Sequence, residues 1–100
     1  METTTITAIK TLRSNILASR EAVVSIEAQG LPAADRSRAI TKAGPSGYQA
    51  VISAIEADPS GEGLSEDILD AAWEAAEACQ GFGWRSSAAV DRFVALTEAL

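Results

Sequence analysis

Residues 5–32 read TITAIKTLRSNILASREAVVSIEAQGLP, from Thr5 to Pro32. Ile9, Leu12, Ile16, Val23 and Ile26 fall on one heptad stripe, with Ser19 in the sixth place. Leu17 and Val24 widen that stripe to the broad apolar face of a core helix. Gly30 suits the left-handed position after the last turn, Leu31 is then placed to touch Ile26, and Pro32 forbids continuation. The spacing predicts a helix of roughly 22–25 residues.

The same period continues beyond Pro32. Residues 33–43 form a shorter helix with Asp35 in its first turn and Gly44-Pro45 as its stop. Leu31, Ala39, Ile40 and Ala43 face inward; Arg36, Arg38 and Lys42 face out. Ser46-Gly47-Tyr48-Gln49 matches a capping box, and Tyr48, Val51, Ile52 and Ile55 give the apolar side of a third helix. Asp58 before Pro59 ends it. Residues 59–63 (Pro-Ser-Gly-Glu-Gly) read as a flexible loop.

Ser65 is the N-cap of a fourth helix, with Leu64 and Leu69 at the staple positions and Glu66 and Asp67 complementing the dipole. Ile68, Leu69, Ala72, Trp73, Ala76 and Cys79 or Gln80 make its buried face, with Trp73 as an anchor of the core. Gly81 stops it. Ser86 or Ser87 caps a last helix with Val90, Phe93, Val94, Leu96 and Leu100 inward.

No segment alternates with period two over strand length. The expected fold is an all-α single domain over residues 1–100, a bundle of about five helices whose long first member packs on the third, fourth and fifth. The competing arrangement is a homodimer seamed along the first helix.

Composition limits what such a bundle does. The chain has 100 residues, a formal charge of −6, one cysteine and no histidine. The charge argues against nucleic acid or an anionic membrane as direct ligand. A single cysteine cannot form an intrachain disulfide, the N-terminus carries no basic n-region, and no apolar run is long enough to span a bilayer. A soluble cytoplasmic protein is expected.

Without histidine the commonest general base and transition-metal ligand are missing. Cys79 is expected buried and inert, near a helix C-terminus where the dipole disfavours a thiolate. Residues 81–84 (Gly-Phe-Gly-Trp) begin like a glycine fingerprint but lack its third glycine and a preceding strand. Residues 44–47 read as a turn with a cap, not an anion site. Asp70, Glu74 and Glu77 share one helix face, which alone cannot surround an ion. Neither an enzyme nor a bound metal or cofactor is expected.

The charge is unevenly placed. Residues 1–42 carry a balance of +2, residues 85–100 balance, and residues 43–84 carry eight acidic groups and no basic one. Asp67, Asp70, Glu74 and Glu77 are spaced three, four and three apart, in one row on the fourth helix. Each like-charge pair costs roughly 0.2–0.5 kcal/mol. The row has two readings. It is solvated and paired with Arg36, Arg38 or Lys42 of the same chain, or it faces a basic protein partner. Glu62 extends that acidic surface. Trp84, in the two-glycine connector, either plugs the bottom of the bundle or forms an exposed hot spot with Arg85.

Short length, acidic excess, helical pattern and the lack of a catalytic constellation resemble the small phage-encoded anti-CRISPR proteins, which bind bacterial surveillance complexes. The acidic run over residues 56–77 and the Ala-rich helices around it carry the resemblance. It implies a stoichiometric, non-enzymatic inhibitor in the bacterial host cytoplasm. Such a protein occupies Lys/Arg-rich surfaces that otherwise hold DNA or guide RNA, or wedges between subunits. A charge of −6 fits local blockade of a basic patch better than duplex mimicry. The alternative is a helical structural or adaptor subunit of a phage or bacterial assembly, working through an apolar face.

Overall fold

In a computed structural model of the chain, which describes residues 4–100, the opening stretch forms α1 (Thr5–Ala28). Met1, Glu2 and Thr3 lie outside the described residues, and with them Glu2 of the charge balance and most of the N-terminal reading. Thr4 caps the helix by accepting a hydrogen bond from the Thr7 backbone N–H at 3.1 Å. Gln29 closes it and Gly30 takes a φ of 65°, the left-handed turn that its missing side chain allows. Ile9, Leu12 and Ile16 are fully buried, and Ser19 and Val23 nearly so. Leu17 is half-buried. Val24, expected on the broad apolar face, is 69 % exposed instead: it lies off the buried stripe, between Val23 at 7 % and Ile26, which packs on the core.

Four further helices follow: α2 (Ala33–Lys42), α3 (Tyr48–Ala57), α4 (Glu66–Cys79) and α5 (Ala88–Leu96). The protein is an all-α bundle of five helices, and no strand occurs among the described residues. The closest backbone packing is α4 on α5, α3 on α4 and α1 on α3, with α2 folded back on α1. Of the expected packing of α1 on α3, α4 and α5, the backbone approach is closest to α3, and α4 and α5 are met through side chains of one shared core. Arg13 Nε donates to the Val94 carbonyl at 3.3 Å and Arg20 Nε to the Trp84 carbonyl at 3.1 Å. The apolar stripe of α1, along which the competing homodimer would be seamed, is buried inside the chain. At about 1.5 Å per residue α1 is about 36 Å long and sets the long axis of the molecule, whose extents are 46 × 25 × 18 Å.

Three local readings change. The capping box at Ser46 is absent: Gly47 holds the N-cap position with φ 96°, where no side chain caps, and Asn15 Nδ2 donates to the Ser46 carbonyl at 2.8 Å. The loop after Pro59 contains a 3-10 turn, Gly61–Gly63, in which Gly61 is buried. A Cβ on Gly61 would stand 2.5 Å from Leu69 Cδ2, and its φ is 60°, so only glycine lets Leu69 pack against this backbone. Finally, Leu96 is 37 % exposed, not inward, since α5 ends there; Val90 and Phe93 carry that helix's core face and Thr97 bonds back to the Phe93 carbonyl at 2.6 Å. No helix among the described residues is long and apolar enough to cross a membrane.

Candidate functional site: the acidic face of α4

Ser65 starts α4 as its sequence dictates, its Oγ accepting from the Ile68 N–H at 3.3 Å. Leu64 and Leu69 stand half-buried at the staple positions. The core face is turned relative to the expected one. Ala71, Ala72, Ala75 and Ala76 are all fully buried, with Cys79 at 5 %, whereas Ile68, Leu69 and Trp73 are only half-buried at the edge. Four methyl groups in the seam let α3 and α5 approach α4 closely, since interaxial distance follows the side chains at the contact. Trp73 is therefore a border residue, not the anchor of the core.

That rotation sends Asp67, Asp70, Glu74 and Glu77 to solvent, and all four are exposed. Arg92 Nη2 lies 3.7 Å from Asp67 Oδ1, an exposed pair that adds little. Among the described residues no ion pair reaches Asp70, Glu74 or Glu77. The internal partners considered for the row do not meet it: Arg38 pairs with Asp35 of its own helix, and Arg36 and Lys42 stand exposed on α2.

The other candidates separate from this face. Glu62 sits at φ 58° in the 3-10 turn, where its Oε1 accepts the Thr5 backbone N–H at 2.8 Å. It closes the positive end of α1, so its carboxylate belongs to the fold and not to the binding row. Trp84 is 2 % exposed. The helical turn Gly83–Arg85 points it inward, and the indole lies over Gly44, whose Cβ position is 3.6 Å from Trp84 Nε1. Trp84 is the plug of the bundle and offers no hot spot. Arg85 is exposed but stands on the α1–α2 side, paired with Glu27 at 3.3 Å.

Near Arg85 lies what the sequence did not disclose. Phe82 is 66 % exposed, in a shallow hollow with Ala33, Arg36, Ser37, Ile40 and Arg85, and Val24 lines a neighbouring groove of about 430 Å³ with Arg20, Trp84 and Asp91. Only the two glycines around Phe82 hinted that its side chain need not be covered. In that groove Arg20 Nη2 stands 2.9 Å from Asp91 Oδ1, an ion pair off the N–H direction, so this buried nitrogen makes no hydrogen bond.

Cys79 is buried, and that burial pushes its thiol up to about 11, with Arg20 pulling weakly the other way. At neutral pH it is a thiol, not a nucleophile. No group of three His, Cys, Asp or Glu among the described residues could hold a metal ion. The arrangement offers exposed charge and one edge indole on a helix held by its buried alanines. No protein-family model, no curated protein and no solved structure matches this chain.

Proposed function

We propose that the protein is a non-enzymatic inhibitor whose α4 face blocks a basic nucleic-acid-binding surface of a bacterial CRISPR surveillance complex in the host cytoplasm. One observation carries the reading: Asp70, Glu74 and Glu77 stand exposed in one row, without an ion pair among the described residues. A row of like charges costs stability on an isolated helix, and charges left unpaired on a surface steer association with an oppositely charged partner. The helix beneath is fixed by four buried alanines, so the row is presented without a folding transition on binding.

The test is a gel-shift assay with a panel of purified surveillance complexes. Target-DNA binding by at least one of them is lost at one-to-one stoichiometry, and the inhibition, measured against the uninhibited complex at the same salt, weakens as salt rises. Unchanged DNA binding across the panel contradicts the proposal.

A second reading, a helical adaptor subunit, has its own observation. The α1–α2 end projects with residues 27–30 and 32–38 all exposed, and the apolar side chains of Val24 and Phe82 are uncovered at its base. Salt-insensitive association through that end, abolished by Phe82→Ser, distinguishes it from the charge-driven reading.

A further inference from the structure

The α4 face carries more than charge. Glu66, Leu69 with Asp70, and Trp73 recur at helical spacing and form a stripe that shares Asp70 with the acidic row. Ile55 at the end of α3 and Pro59 in the connector stand opposite. These six residues line an open surface pocket of about 210 Å³. Its wall is apolar, from Ile55, Leu69 and the Trp73 indole, each half-buried, and its rim is the exposed carboxylates of Glu66 and Asp70. Neither carboxylate is engaged by an ion pair among the described residues.

We infer that this pocket receives one arginine side chain of the protein partner, an inference that rests on the binding role of the α4 face proposed above. The charge of the rim selects a cation. An acidic chain or a phosphate is repelled there, and a neutral apolar side chain strips water from two carboxylates without replacing it. The wall selects which cation. An arginine stem is covered by Ile55 and Leu69, its weakly hydrated guanidinium plane stacks on the indole, and its fork donates to Asp70 or Glu66. Lysine brings a strongly hydrated point charge with no plane to stack. The pocket accommodates one long side chain and is too small for a helix, so the partner inserts a single residue here while the row at Glu74 and Glu77 meets its neighbours.

The experiment titrates the ¹⁵N-labelled full chain with a hexa-arginine peptide at low salt and follows the two indole N–H resonances. Trp84, at 2 % exposure, is the internal control. Trp73 shifts saturably, Trp84 does not, and hexa-lysine binds several-fold more weakly. Asp70→Asn, at an exposed position that leaves the core untouched, and Trp73→Leu each weaken hexa-arginine binding by roughly three- to tenfold. If the peptide instead shifts the amides of Glu74 and Glu77 while Trp73 stays still and both variants bind unchanged, the acidic face binds cations but the arginine pocket is overturned. If hexa-arginine does not bind at all, the pocket and the role of the face fall together.

Discussion

Helices α1 and α4 both divide into a core face and a charged face, but they use their charges differently. On α1 three of the five charged groups are tied to the rest of the chain, Arg13 to the Val94 carbonyl, Arg20 to the Trp84 carbonyl and Asp91, and Glu27 to Arg85, while Lys10 and Glu21 are exposed without an ion pair among the described residues. On α4 only Asp67 finds a partner, at 3.7 Å, and Asp70, Glu74 and Glu77 have no ion pair among the described residues. Three charges of α1 fasten the first helix to the last and to the connector before it; of the charges of α4, only Asp67 reaches another element, through the long pair with Arg92. A charge that holds no internal contact is available to a partner, and that difference is what supports the binding role proposed for α4.

The contrast is sharpened by substitutions with graded effects. Removing the plug is the largest. Trp84→Ala empties a fully buried site and costs about 3–5 kcal/mol, read as a collapse of the urea midpoint. Trp73→Ala, at the half-buried edge, costs about half as much, roughly 2 kcal/mol. Equal losses at the two tryptophans would break the distinction between plug and edge. Arg20→Met keeps the stem but removes the donor to the Trp84 carbonyl, at a cost of about 1–2 kcal/mol. The corresponding loss of one α4 charge, Glu74→Gln, stays within about 0.5 kcal/mol. Were Glu74→Gln as damaging as Arg20→Met in thermal melts, α4 would be paired inside the chain after all.

Cys79 adds a pH signature to the α4 core. Its thiol is raised to about 11 in the folded chain from an ordinary 9.0. The unfolded chain therefore loses this proton first. The stability contributed is whole below pH 9 and is lost as pH rises from 9 towards 11. Urea titrations of the wild type and Cys79→Ala diverge over that interval, with the wild type falling faster. Parallel curves would show that the thiol is not desolvated.

Much of the fold was legible because period and punctuation agree. The stripe from Ile9 to Val23, the Gly30-Pro32 stop and the Ser65 cap each act within a few residues, and each stands as read. The rotation of α4 was not legible. Large side chains dominate a hydrophobic reading, so Leu69 and Trp73 outweighed four alanines, yet close helix packing favours the alanines. Trp84 lies in a connector without a period, and it packs beside Gly44, forty residues away. Glu62 finds its partner at Thr5, fifty-seven residues away, a contact no local pattern announces. The acidic row was legible because its meaning depends only on helical spacing. Its lack of internal partners was not, because that requires knowing where Arg36, Arg38 and Lys42 go.

The most direct measurement is the affinity of the triple variant Asp70→Lys, Glu74→Lys, Glu77→Lys for a basic bait protein, at low and high salt, beside its melting curve. The variant melts as the wild type does, because these side chains are exposed and unpaired, and it loses most of its low-salt affinity, with the difference shrinking as salt rises. A variant that folds and binds the bait as tightly as the wild type contradicts the account and moves the interface to the Phe82–Arg85 side. One that no longer folds contradicts it too, by showing that the row serves the fold.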